Sequence, residues 1–178
     1  AHPALLPKYR GPNPYLQAIK HMEKQSGVTF HLMDENYDTG AILLQKAVEI
    51  SPTDTGEELR NKVTSIAREG AKELLTQLQE DIIIPLKQEE SKASYFSQIK
   101  EDEVMLDFSK PAEEISAHIR ALHPWYKCYF QHNNHFFIPN PYKLEILETP
   151  STTKEAGKIV EKSAKEKSLS VVCGDGKI

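Results

Sequence analysis

The sequence predicts an α/β layered domain followed by a second, mostly β domain, and three observations carry that reading. Over the first half, β-branched apolar runs alternate with amphipathic stretches of helical period, the pattern of helices packed on a sheet. Composition then breaks at Lys87 to Lys92, which holds no apolar residue and follows Pro85 and Leu86, so a linker is placed there. Past Pro124 the chain turns into short apolar runs separated by Asn, Pro, Gly and Ser, the signature of a small β-barrel. The division is therefore 1–86, a linker over 87–100, and 101–178.

In chain order, Pro3 to Pro14 carries four prolines and one glycine and can be neither regular helix nor central strand. A stiff, shaped loop is the alternative. Tyr15, Leu16, Ile19 and Met22 repeat at helical spacing, with Ser26-Gly27 as the stop. Val28 to Met33 reads as a strand, Asp34 to Gly40 as a turn, and Ala41 to Ile50 as a second strand. Ser51 to Thr55 offers several N-caps for a long helix to about Leu78, with Leu59, Val63, Ile66, Ala67, Leu74, Leu75 and Leu78 as its apolar stripe. After the linker, Ser109 or Lys110 stands before Pro111 at the first turn of a helix reaching Leu122. Short strands are expected at 126–130, 135–138, 144–147, 157–160 and 168–172.

The 178 residues are 39% hydrophobic and 27% charged, an ordinary globular balance. A formal charge of -4 provides no global field toward nucleic acid or membrane, so an RNA partner would need a local basic patch. No apolar run approaches the ~20 residues that cross a bilayer. Cys128 and Cys173 make neither a disulfide framework nor a metal spacing and read as small buried residues in a reducing compartment, the cytoplasm. The chain opens without methionine and runs straight into a motif, and it closes on what looks like the start of a strand; both ends read as interior to a longer protein.

His2 stands before the proline-stiffened loop, and Asp38 at the end of the turn between two strands. Loops held by a sheet are where catalytic groups usually sit. A carboxylate beside an imidazole fixes its tautomer, favours the charged ring, and leaves the other nitrogen for acid–base work.

The residues His2-Pro3-Ala4-Leu5-Leu6-Pro7-Lys8-Tyr9-Arg10-Gly11 resemble the His-Pro-Ser-Leu-Leu-Pro-x-Tyr-Arg-Gly signature of the formyltransferases that use 10-formyltetrahydrofolate. Gly27-Val28-Thr29 and Met33 to Gly40 are similar to the same family's strand and its Asp-x-Gly-x-Asp-Thr-Gly loop, with Asp38 on the catalytic position. Ala4 stands where the family has serine, and Asn36 where it has glycine; asparagine tolerates a left-handed backbone best among the other residues. The resemblance implies a Rossmann-like sheet that binds the folate at the carboxyl ends of its strands, with residues 1–86 expected to be only the back part of that domain. It implies that His2 bonds the formyl oxygen, that Asp38 orients His2 and manages the amine's proton, and that Leu5, Leu6 and Pro7 face the pteridine. An asparagine two positions before the histidine completes the family's set; that position precedes Ala1, so the 178 residues alone are expected to have little activity.

Leu106 to Ile115 and Ile119 to Trp125 resemble the stretches that open the C-terminal domain of methionyl-tRNA formyltransferases, an OB-like barrel. The implied reaction is formyl transfer from 10-formyltetrahydrofolate to initiator methionyl-tRNA by a monomeric, metal-free enzyme. Lys8, Arg10 and Arg120 are the expected tRNA contacts and Trp125 a packing residue. Residues 101–178 hold 10 basic and 12 acidic groups, a weak basis for RNA binding. The rival acceptor is an amino-sugar nucleotide, or that of another 10-formyltetrahydrofolate-using domain; a non-catalytic fragment that keeps the barrel as a binding module is the rival of another class. Cys128, His132 and His135 invite a zinc reading, but Asn133-Asn134 between apolar runs is a hairpin turn that explains them. His31 reads as a sheet residue. Lys154, Lys158, Lys162, Lys165 and Lys167, interleaved with Glu155, Glu161 and Glu166, read as a solvated face.

Overall fold

The computed structural model describes residues 1–147, 155–163, 165 and 168–178. The chain divides into two compact units, Ala1–Ile99 and Lys100–Ile178. In the first, helix α1 (Pro14–Lys20) leads to strand β1 (Gln25–His31), strand β2 (Ile42–Glu49) and the long helix α2 (Gly56–Gln79). Helix α1 ends earlier than its periodicity suggested: Met22 takes a left-handed φ of 53° and is half exposed, and Ser26-Gly27 lie inside β1 rather than at a helix stop.

The two strands pair antiparallel, from Gln25 opposite Glu49 to His31 opposite Ile42. Among the described residues of this unit they form a two-stranded sheet. Chain length explains the direction, because a parallel crossover needs about a dozen residues or more and the 32–41 connection is shorter. Thr55 opens α2 with a capping box: its hydroxyl accepts from Glu58 N, and the Glu58 carboxylate accepts from Thr55 N at 2.8 Å. The helix buries Leu59, Val63 and Gly70 against β1 and β2, and α1 packs beside it. Leu16, Ile19 and Val28 complete that core with Leu59 and Val63, each worth about 1.5–3 kcal/mol on burial. The stripe does not continue, since Leu75 and Leu78 are more than half exposed. A helix of 24 residues runs roughly 36 Å, whereas an eight-residue strand spans about 26 Å.

Residues 87–99, read from composition as linker, belong to the first compact unit. Phe96 stacks on Tyr9 at 5.4 Å, Gln88 is buried, and Arg10 N donates to Ser94 O at 2.9 Å. Local polarity misled here because these polar groups find partners far away in sequence.

In the second unit, helix α3 (Ala112–Leu122) buries Ile115, Ala117, Ile119, Ala121 and Leu122. Asp175, far along the chain, accepts from Ala112 N at 3.4 Å and so serves an orphan donor at the helix start. Strands β3 (Phe130–His132) and β4 (His135–Phe137) make a hairpin whose turn residues Asn133 and Asn134 have φ of 47° and 60°, as a type I′ turn requires. Strands β5 (Ile159–Ser163) and β6 (Ser168–Val171) make a second hairpin. The small β-barrel expected from the sequence is not closed among the described residues: the two hairpins remain separate sheets, and 144–147 forms no strand. Cys128 and Cys173 are buried and are not joined in a disulfide, as read. Lys154, Glu166 and Lys167 lie outside the described residues.

Candidate active site

The His2 loop is sewn onto β1 by backbone and by one threonine. His2 N donates to Thr29 O and Thr29 N to His2 O, both at 2.8 Å, so the chain before the prolines runs as one antiparallel rung beside β1. Thr29, fully buried, donates its hydroxyl to Ala4 O at 2.6 Å and accepts from Leu6 N at 3.1 Å. Gln45 of β2 adds a donor to both Leu6 O and the Thr29 hydroxyl, at 2.8 and 2.9 Å. Tyr9, left-handed at φ 62°, turns the loop back so that its carbonyl accepts from His2 Nε2 at 2.8 Å.

Asp38 approaches from the β1–β2 connection. Its backbone is left-handed, φ 60°, which a non-glycine residue adopts at a cost of about 1–2 kcal/mol unless surrounding bonds hold it. Asp38 rather than Asn36 takes that conformation. Asp34 shapes the turn, accepting from Asn36 N at 3.1 Å and from the Thr39 hydroxyl at 2.6 Å. Asp38 Oδ2 accepts from Gly11 N at 2.9 Å. Gly11 itself sits at φ 94°, and a Cβ there would lie 2.4 Å from Phe96 O, so only glycine brings this N–H to the carboxylate.

The other oxygen, Asp38 Oδ1, lies 3.4 Å from His2 Nδ1 and 3.8 Å from His31 Nε2. The two residues singled out in sequence therefore meet, and His31, read as a sheet residue, joins them as a second imidazole on the same carboxylate. Both His2 nitrogens are engaged: Nε2 carries the hydrogen that Tyr9 O accepts, and Nδ1 presents its lone pair toward Asp38. Burial holds His2 below the ordinary imidazole value and outweighs the Tyr9 bond and the Asp38 charge, which both pull upward. The resting ring is thus neutral, contrary to the charged ring that a carboxylate neighbour alone suggests. A proton arriving at Nδ1 would find Asp38 facing it, with the opposite N–H already satisfied.

The remaining sequence-predicted residues scatter. Leu6 is buried and part of the core, whereas Leu5, which packs on Gly27, and Pro7 are half exposed. Lys8 is exposed and pairs with Glu23 at 3.2 Å. Arg10 is buried, with a bidentate pair to Glu90 at 2.7 and 2.9 Å and bonds from Nε and Nη2 to Gln88 Oε1. That guanidinium is an internal brace, not an open phosphate contact. Arg120 lies half-buried in the last turn of α3, and Trp125, read as packing, is 40% exposed. Thr29, His31 and Gln88 were not singled out by spacing. Thr29 carries a signal in hindsight, a β-branched hydroxyl inside an apolar strand, while Gln88 carries none in its polar run.

Residues 1–75 match the formyl transferase family and residues 98–178 match its C-terminal domain. The chain belongs to the formyl transferase family. The methionyl-tRNA formyltransferase of Bartonella tribocorum is 35% identical over all of this formyl transferase chain and 56% of its own length. That of Ectopseudomonas mendocina is 32% identical over 99% of the chain and 54% of its own. The chain thus spans about half the length of the curated relatives it matches. Among solved structures, the N-formyltransferase from Helicobacter canadensis, crystallised with folinic acid and dTDP-3-aminofucose, aligns with a TM-score of 0.66 at 30% identity, over 75% of this chain and 50% of its own. HypX from Aquifex aeolicus, with tetrahydrofolic acid, aligns over 99% of the formyl transferase chain and 30% of its own at TM-score 0.70 and 17% identity, a likeness of fold alone.

Proposed function

We propose that the protein transfers a formyl group from 10-formyltetrahydrofolate to the amino group of methionyl-tRNA, with His2 and Asp38 as the catalytic pair. The observation that carries this reading is the 3.4 Å approach of His2 Nδ1 to Asp38 Oδ1 in a formyl transferase chain. The acceptor rests on relatives that are methionyl-tRNA formyltransferases. In the reaction the amine attacks the formyl carbon, the bond to N10 of the folate breaks, and one proton passes from the amine to N10. His2 Nδ1 takes that proton, Asp38 stabilises the imidazolium, and the proton is returned to the leaving N10. The resting Nε2 hydrogen is held by Tyr9 O, so oxyanion donation by His2, the role that the resemblance implied, draws on the Nδ1 proton once it arrives.

Leu5 and Pro7 are the surfaces this reading gives to the pteridine, with Lys8 and Arg120 toward tRNA. It treats the C-terminal unit as OB-like and the enzyme as a cytoplasmic monomer. The second reading, an amino-sugar nucleotide as acceptor, is favoured by the Helicobacter canadensis neighbour.

The test assays the full-length protein with 10-formyltetrahydrofolate and, in parallel, methionyl-tRNA or an amino-sugar nucleotide. His2→Ala and Asp38→Asn should each lower turnover on methionyl-tRNA by ~10²–10⁴-fold. Turnover on the sugar nucleotide alone would move the acceptor to the second reading, and unchanged rates in both variants would remove the pair from the mechanism.

A further inference from the structure

Gln88 is a buried polar residue to which the catalytic reading gives no role. Its side chain is 4% exposed and fully engaged. Nε2 donates to Asp38 O and to Gly40 O, both at 2.8 Å. Oε1 accepts from Arg10 Nη2 at 2.8 Å and Nε at 3.2 Å. The reversed amide would set oxygen against two carbonyls and nitrogen against two guanidinium donors, so the network itself fixes the orientation. Arg10 is in turn fixed by the bidentate pair to Glu90. One amide therefore joins the proline loop, the Asp38 turn and the 87–99 segment, pieces 48 to 78 positions apart.

The peptide that Gln88 grips is the one that must be gripped. Asp38 sits at φ 60° and continues to Gly40, where a Cβ would fall 1.8 Å from Leu32 O. A left-handed aspartate relaxes unless its surroundings determine it. Its side chain is tied through Oδ2 to Gly11 N, and its backbone carbonyl through Gln88.

We propose that Gln88 is a positioning residue for the formyl transfer: by clamping the Asp38 and Gly40 carbonyls it holds Asp38 in the left-handed conformation that aims Oδ1 at His2. The inference rests on the catalytic reading of His2 and Asp38. It separates the two halves of the amide, because Arg10 needs only the oxygen and the Asp38 turn needs only the NH2 group.

Gln88→Glu in the full-length protein divides them. It keeps, and strengthens, the acceptor for Arg10 while setting an oxygen against two carbonyls. With methionyl-tRNA and 10-formyltetrahydrofolate, kcat should fall by roughly 10–100-fold, since misplacement of a reacting group by about 1 Å costs on that order. KM for the folate should move less than threefold. Glu90→Gln, which weakens the Arg10 anchor but leaves the NH2 group, should stay within threefold of the natural kcat. An NMR titration of His2, which needs no turnover, reads the same geometry. Of the groups that face His2, the Tyr9 carbonyl and Asp38 pull its titration upward and His31 pushes it down, so displacement of Asp38 in Gln88→Glu should lower the His2 midpoint. A natural kcat and an unmoved His2 midpoint in Gln88→Glu overturn the proposal. If Gln88→Glu does not fold, Gln88→Met takes its place: it drops both ends of the amide, and a kcat equal to that of the natural protein likewise overturns the proposal. A wild-type protein without formyl transfer, but with a His2 midpoint that shifts in Gln88→Glu, rejects the function and keeps the clamp.

Discussion

Thr29 shows how much one hydroxyl can hold. It donates to Ala4 O and accepts from Leu6 N, both on buried residues, and it accepts from Nε2 of the exposed Gln45. Thr29→Val keeps the shape and strands those partners, and each unsatisfied buried group costs about 1–3 kcal/mol. Urea unfolding should therefore show a loss of at least 2 kcal/mol, on the order of two such groups. His2 contributes in a pH-dependent way. Its folded value is depressed by burial, so the unfolded chain takes up the proton first on acidification. The stability due to a neutral His2 is complete above the unfolded imidazole value of about 6.5 and is lost as pH falls from there toward the folded value. Unfolding midpoints measured from pH 7.5 to 5 should fall across that window and flatten in His2→Gln.

At the scale of elements, the capping box of α2 is the sharpest local device. Thr55 is fully buried, and Glu58 returns its bond within the same turn. Thr55→Ala should cost about 1–2 kcal/mol, read by thermal or denaturant unfolding. The 87–99 segment makes the opposite point. Its sequence carries every mark of a linker, and its buried Gln88 and stacked Phe96 make it a strap on the first unit. Polar composition signals exposure only where no distant partner exists, and Arg10, Asp38 and Gly40 supply three.

For the molecule as a whole, charge bears on the acceptor. The net charge is -4, and Arg10, the most obvious phosphate contact in the sequence, is closed around Glu90 and Gln88. Binding of methionyl-tRNA to the full-length protein should then weaken only gently with salt, each neutralised phosphate adding about -0.7 to -0.9 to the slope of log K on log salt. Lys8→Ala should flatten that slope by about one contact, while Arg10→Ala should leave it unchanged and lower the unfolding midpoint. A steeper slope lost in Arg10→Ala would show that the guanidinium opens toward RNA.

Several features were settled by the chain itself. Four prolines within the first 14 residues forced the shaped loop after His2, N-cap chemistry set the start of α2, and Asn133-Asn134 set the β3–β4 turn. These are local effects, in which a residue's own backbone preference decides. The motifs also placed His2 and Asp38 on loops of one unit. What the sequence left open depended on groups that meet across long separations. Which nitrogen of His2 holds the proton was decided by Tyr9 O, its neutral state by burial, and the aim of Asp38 by Gly11 N and Gln88. The presence of His31 beside that carboxylate followed from the strand register. Hydrogen bonding and desolvation act over a few ångströms of space whatever the distance along the chain, so only the folded molecule brings these partners within range.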